Sequence, residues 1–226
     1  MNFKNEIEKL IESNLKTYKD NSDRFIADYN RELELTKEYN GRQILELLQN
    51  ADDATSDEVL INWNKESLKL TISNKGEPFE AGGIKSLMLA NLSTKTKVSY
   101  IGNKGLGFRS ILNWSEQINI LSNGCNISFS EEIAKNVFNN QLNLSDDKKK
   151  ALRNDRNLST EIIPFPVLAI PKIEETNKLS DWTTSIEITY RKEFENDIEN
   201  QLTEIREEIL LFLNNIKRIT IQKGLE

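Results

Sequence analysis

The sequence predicts an α+β domain of layered type. Two observations carry that expectation: strand-like segments come in hairpins rather than in a regular strand–helix–strand alternation, and amphipathic helical segments precede and follow them. No internal repeat is present, so a solenoid or propeller is not expected. Taking the elements in order, residues 3–19 place Phe3, Ile7, Leu10, Ile11 and Leu15 near helical spacing, and 23–38 is a second helical stretch. Gly41 marks a break, after which 42–54 is helical with Ile44, Leu47, Leu48 and Ala51 as its apolar face. Strands follow at 58–63 and 67–73, rich in β-branched and aliphatic residues. Residues 74–83, with Gly76, Pro78, Gly82 and Gly83, read as a loop, 84–92 as a short helix, and 108–114 as another. Strands at 117–121 and 126–130 flank the turn Ser122-Asn123-Gly124. The charge-dense 146–156 reads as a solvated helix or loop, and Pro164, Pro166 and Pro171 hold the next stretch extended. A strand at 184–190, a long helix at 193–214 and a short strand at 219–222 complete the chain.

Composition excludes several chemistries. The chain has 226 residues, no histidine and one cysteine, Cys125. Histidine-based nucleophile systems, histidine metal sites, a structural zinc site and an intrachain disulfide are therefore all ruled out. A net charge of −6 argues against a generally basic nucleic-acid surface. No apolar run approaches the roughly 20 residues needed to span a bilayer, and the acidic N-terminal segment MNFKNEIEKLIESN does not read as a signal peptide. The expectation is a cytoplasmic protein without membrane contact, its chemistry carried by carboxylates, amides, hydroxyls, lysine, arginine and backbone groups. That inventory suits phosphate and magnesium.

Two motifs stand out. In LELLQNADDA, at about 100° per residue, Asn50 falls about 40° to one side of Glu46 and Asp53 about 20° to the other, opposite the apolar face. Periodicity alone makes this stripe an ordinary solvated helix face. The second motif, IGNKGLGF, places glycine at 102, 105 and 107. Glycines there let backbone N–H groups close on an anion, and a following helix start adds partial positive charge. It is neither a Walker A loop nor a dinucleotide fingerprint, because no G-K-[ST] closes it and the spacing differs from G-x-G-x-x-G. Asp52 reads as a helix-surface acid, Trp63, Trp114 and Trp182 as packing residues, and Arg109 as a phosphate contact or a surface salt bridge.

Taken in order, the segments resemble the GHKL (Bergerat-fold) ATPase superfamily. ELLQNADDA is similar to its E-x-x-x-N helix, ISNKGEPF falls where its adenine-site loop falls, IGNKGLGFRSIL is similar to its phosphate loop, and Thr184-Ser185-Ile186 fits its closing threonine strand. Sacsin-like N-terminal ATPase domains look nearest; the ninety-kilodalton heat-shock chaperones and MutL are similar at greater distance. The resemblance covers residues 40–125 best. It implies a two-layer α/β sandwich, with a mixed, mostly antiparallel sheet covered by helices on one face, spanning 40–226 behind an N-terminal helical extension at 1–39.

The resemblance also implies roles. Glu46 would be the general base and Asn50 the Mg²⁺ ligand, with ATP and Mg²⁺ as the bound groups. Asp53, Ala54, Asn74, Gly76 and Thr184 would line the adenine and ribose end. Asn74 stands where most relatives carry aspartate, so the charge there is lost, and Pro78 replaces a usual glycine. Gly102, Lys104, Gly105, Leu106, Gly107 and Phe108 would form the phosphate cradle. Ser93, Thr94 and Lys95 would belong to a lid running from about residue 82 to 104. The activity implied is ATP hydrolysis driving a conformational or assembly change. An ATP-sensing scaffold and a histidine-kinase-like phosphotransfer domain are the alternatives, and Glu46 favours hydrolysis over sensing. The implied partners are ATP or ADP and either further domains of a longer chain or a second protomer. One of the latter would supply the cation that Lys95, Lys104 and Arg109 have no clear claim to be, leaving this chain slow on its own.

Overall fold

The computed structural model describes residues 2–38, 41–89, 106–154, 157–159, 161–176 and 181–224. Two helices open the chain, α1 (Phe3–Asp20) and α2 (Ser22–Glu38). The Asn2 side chain caps α1 by accepting from the Lys4 N–H at 3.3 Å. Next come α3 (Gln43–Asp53), β1 (Glu58–Asn64), β2 (Lys69–Asn74), α4 (Ala81–Met88) and α5 (Leu106–Arg109), which runs into a 3-10 turn at Ser110–Asn113. After β3 (Ser115–Ser122) and β4 (Cys125–Ser130), α6 (Glu131–Asn136) continues as a π turn at Val137–Gln141. The remainder is α7 (Asp146–Asn154), β5 (Lys172–Glu175), β6 (Thr184–Tyr190), α8 (Glu195–Glu204), a 3-10 turn at Glu207–Phe212 and β7 (Arg218–Gly224).

The strands form one seven-stranded sheet in the order β5-β4-β3-β6-β2-β1-β7. Every neighbouring pair is antiparallel except β1 with β7, which run parallel. The sheet is thus mixed and mostly antiparallel, as the resemblance implies. Strand alternation divides its faces. Val59, Ile61 and Trp63 of β1, Ile118 and Ile120 of β3, and Ile186, Ile188 and Tyr190 of β6 are all buried toward the helices. The Trp63 indole N–H donates to the Tyr190 hydroxyl at 3.0 Å, which satisfies the polar end of a buried ring. The other face is a polar lattice: Ser73 and Ser185 hydroxyls meet at 2.8 Å, Ser128 donates to Asn119 at 2.8 Å, and Lys69 reaches Glu187 at 3.2 Å.

A second core, not legible from periodicity, lies between the N-terminal helices and the segment after β4. Tyr18, Phe25, Phe138 and Phe165 meet edge-on or tilted at centroid distances of 5.4–6.1 Å. It joins α1 and α2 to the π turn and to the proline-bearing stretch before β5.

Three elements differ from expectation. The helix expected at 84–92 begins earlier, at Ala81, with Gly82 and Gly83 inside it, because the Glu80 carbonyl accepts from both Gly83 and Ile84. The helix expected at 108–114 is one α turn followed by a 3-10 turn. The long helix expected at 193–214 ends at Glu204, where Ile205 and Arg206 turn extended. Ile205, Ile209, Leu210 and Leu213 pack against the main core from the irregular stretch that follows, while Leu211 and Phe212 remain 81% and 83% exposed. Among the described residues, no helix is long and apolar enough to cross a membrane.

The chain is redirected before its last strand because Asp52, at the end of α3, fastens residues 214–216. Its carboxylate accepts from the backbone N–H of Asn214 at 2.9 Å, Asn215 at 2.6 Å and Ile216 at 3.0 Å, which sets this stretch on course into β7 beside β1. Asp52 is 5% exposed, which corrects the surface-acid expectation. Burial alone would raise its carboxyl, but these N–H groups and the Asn214 amide outweigh it and hold the carboxyl below the usual range. A depressed folded-state pKa stabilises above the unfolded value, about 3.9 for aspartate, and the gain is lost as pH falls through the folded value. The stability gap between wild type and Asp52→Asn in urea titrations is therefore level above about pH 5 and narrows below about pH 4. A gap independent of pH down to acid unfolding contradicts this.

Candidate functional site

The polar stripe of α3 forms as its spacing predicts. Ile44, Leu47, Leu48 and Ala51 are buried in the main core, while Glu46, Asn50 and Asp53 are part-exposed along the other face. Half-burial raises the Glu46 carboxyl above its ordinary range, and the Arg42 guanidinium one turn earlier partly offsets that.

The C-terminal end of this stripe is met by the loop after β2. Gly76 lies so close to α3 that a β-carbon on it would stand 2.2 Å from the Ala54 carbonyl oxygen and 2.9 Å from the Ser56 nitrogen. Only glycine fits such an approach. The same carbonyl accepts from the Glu77 N–H at 2.7 Å, and the Ser56 hydroxyl accepts from the Lys75 N–H at 3.0 Å. On its far side the loop is held by the β3–β4 turn. Phe79 N–H donates to the Ser122 hydroxyl at 3.1 Å, and the Asn123 amide donates to the Phe79 carbonyl at 2.6 Å. That turn has two residues, Asn123 (φ 52°) and Gly124 (φ 68°), between the paired Ser122 and Cys125, the backbone that an Asn-Gly hairpin favours.

Between these supports lie Asn74 and Thr184, opposite each other on β2 and β6. Asn74 is 6% exposed; its side-chain oxygen accepts from the Gly76 N–H at 3.2 Å and its carbonyl from the Thr183 N–H at 3.0 Å. Thr184 is 1% exposed, its hydroxyl 2.9 Å from that of Ser122. Asp53, Ala54, Asn74, Gly76 and Thr184, spread over 132 positions of sequence, thus join one framework.

Of the glycine motif, Leu106 and Gly107 open α5, and α5 packs on α3. Phe108 is a core residue, 1% exposed, so its side chain anchors the turn and forms no part of a cradle. A single helical turn also gives only weak dipole support to an anion, less than the expected 108–114 helix would. Ser93, Thr94, Lys95, Gly102, Lys104 and Gly105 lie outside the described residues. The stretch expected to begin a lid at about residue 82 is α4, whose Ile84, Leu87 and Met88 are buried in the core. Trp63 and Trp114 are fully buried and Trp182 half-buried beneath Lys75, as packing residues should be.

Sequence reading missed the parts played by Ser56 and Ser122 and did not foresee that Arg109 is buried. Arg109 is 2% exposed and belongs to no surface salt bridge. A groove between α1 and α4, lined by Glu6, Lys9, Leu10, Ala81, Gly82 and Lys85, shares none of the predicted site residues.

No protein-family model matches the chain. No curated protein sequence matches it either. One solved structure similar to it is the crystal structure of the N-terminal domain of a DNA repair protein. The TM-score is 0.42 and the identity 14%, over 75% of this chain and 44% of that one. The chain thus spans less than half the length of that structure.

Gly76→Ala forces either the loop or the end of α3 to move, and should cost about 1–3 kcal/mol of stability, the usual penalty of overpacking. Chemical denaturation checks it. A variant as stable as wild type would mean that the loop does not rest on α3.

Proposed function

We propose that this chain is an ATP-binding and ATP-hydrolysing module of the GHKL type. The observation that carries the reading is the joining of the α3 stripe to Asn74, Gly76 and Thr184 by the Gly76–Ala54 contact, together with the packing of α5 on the same helix. Four motifs resembling one superfamily in order would be expected to meet if they served one ligand.

The chemistry of each group suits its part. Glu46 is half-buried with its carboxyl raised, which moves it toward the range in which a general base works near neutral pH. It would orient the attacking water and take its proton. Magnesium held largely by phosphate oxygens and water needs few protein ligands, and the part-exposed Asn50 amide oxygen, one turn from Glu46, fits that donor set. When bound, the ion would stabilise charge on the phosphate oxygens. The Asn74 side-chain oxygen already accepts one N–H and keeps a second lone pair, which can accept from an adenine amino group. Asp53 and Ala54 would flank ribose and base, with Thr184 supporting adenine from beneath. The glycine motif at 102–107 would bind the phosphates through backbone N–H groups. Client, pathway and any partner protomer or following domain belong to this proposal only as what the resemblance implies.

Two substitutions separate the roles. Glu46→Ala should leave Mg-ATP affinity within a few-fold and lower turnover by about 10²–10⁴. Asn50→Ala should weaken Mg-ATP by more than about tenfold, or about 1.4 kcal/mol. Calorimetry and a turnover assay on the same preparations read both. Unchanged turnover in the first variant, or unchanged affinity with and without magnesium in the second, would remove these residues from the site.

A further inference from the structure

Alternation along β2, β6 and β3 puts every second residue on the face that meets the helices, and the register lines these residues up in rungs across the three strands. Leu70, Ile188 and Ile118 make one rung and Ile72, Ile186 and Ile120 the next, all buried and apolar. The rung that follows is Asn74, Thr184 and Ser122, at 6%, 1% and 4% exposure. Core positions are thus given over to three uncharged polar side chains, at the end of the sheet where the Gly76 loop meets α3. Burying such groups costs free energy unless each finds a partner.

Hydrogen bonds within the protein account for only part of this rung. Asn74 Oδ1 accepts from the Gly76 N–H at 3.2 Å, which fixes the end of the amide that is oxygen. The Nδ2 carries two N–H donors and has no acceptor among the described residues. Ser122 Oγ accepts from the Phe79 N–H at 3.1 Å and lies 2.9 Å from Thr184 Oγ, where either hydroxyl can donate. When Thr184 donates, Ser122 can place its own proton on the Thr183 carbonyl, 3.4 Å away, and Thr184 keeps only a lone pair to offer. When Ser122 donates, the Thr184 proton is free. Thr184 can therefore present either polarity, and Asn74 presents free donors together with the second lone pair of Oδ1.

We infer that this rung reads a purine without distinguishing an amino from an oxo group at C6, so that the site takes 6-oxopurine triphosphates such as ITP as well as ATP. This rests on the ATP reading. An adenine amino group donates to the second lone pair of Asn74 Oδ1. A 6-oxo group accepts from Asn74 Nδ2 instead. The amide need not turn over, which would strip the Gly76 N–H of its acceptor. Either group meets a complementary partner, so the usual rejection of an analogue that strands a buried polar group does not arise. An aspartate in place of Asn74 would offer acceptors only and would face an oxo oxygen with like charge.

Calorimetry on the full 226-residue chain compares Mg-ATP with Mg-ITP, for wild type and for Asn74→Asp. Wild type is expected to bind the two within about tenfold of each other. Asn74→Asp keeps an acceptor for the Gly76 N–H and loses the donor, so it should weaken Mg-ITP at least about tenfold more than Mg-ATP. The unfolding midpoint without ligand shows that the variant is folded at the assay temperature; where it is not, the wild-type comparison decides alone. A wild-type preference of more than about tenfold for either nucleotide, or an Asn74→Asp variant that changes both equally, overturns the inference. The ATP reading stands in those cases so long as Mg-ATP binds. Wild type that binds neither nucleotide overturns the ATP reading, and this inference falls with it.

Discussion

The carbonyl of Ala54 is where the layout of this protein is decided. It ends α3, accepts a hydrogen bond from Glu77, and leaves no room for a β-carbon on Gly76. A helix and the loop leaving a strand are brought to backbone contact there, closer than any side chain would allow. Were the loop after β2 to stand off by one methyl group, Asn74 and Thr184 would no longer lie at the end of the Glu46–Asn50–Asp53 stripe. The cost of such a contact is that the position tolerates no other residue.

Around that contact the fold supplies rigidity from three directions. The sheet fixes Asn74 against Thr184 through continuous antiparallel pairing of β2 with β6. The Asn-Gly turn at the end of β3 brings Ser122 and Asn123 under the loop. Asp52 commits its whole carboxylate to the backbone of residues 214–216, so the end of α3 is also the mooring of the last strand. Neighbouring residues on one helix thus divide the work: Asp52 faces the interior and holds structure, while Asp53 faces the proposed ligand side. The polar lattice on the far side of the sheet takes no part in this.

Much of this was legible because its signals are local. Alternation places β6 at 184–190 with the observed bounds, and the 3.6-residue period sorts α3 into its buried and part-exposed faces. Asp52 was misread as a surface acid: at about 120° from Glu46 it borders the apolar arc, and nothing local reveals that residues 214–216 are its partners. Arg109 reads in the sequence as a phosphate contact or a surface salt bridge, and nothing local reveals its burial beside Glu32, 77 positions earlier. The aromatic core of Tyr18, Phe25, Phe138 and Phe165 likewise comes from pairings across more than a hundred residues. The misplaced helix at 193–214 shows the converse failure, because Ile198, Leu202, Ile205 and Ile209 keep helical spacing and read as one helix, although α8 ends at Glu204.

The central claim is that the α3 stripe, the loop after β2 and the start of β6 form one binding site for an adenine nucleotide. Backbone amide chemical shifts of the isotopically labelled chain, followed as Mg-ATP is added, test it most directly. The account predicts saturable shifts centred on residues 50–54, 74–77 and 184, with the outer-face residues Lys69, Asn119 and Glu187 unmoved. No saturable shifts, or shifts gathered on that outer face while the α3 and β2 positions stay still, would contradict it.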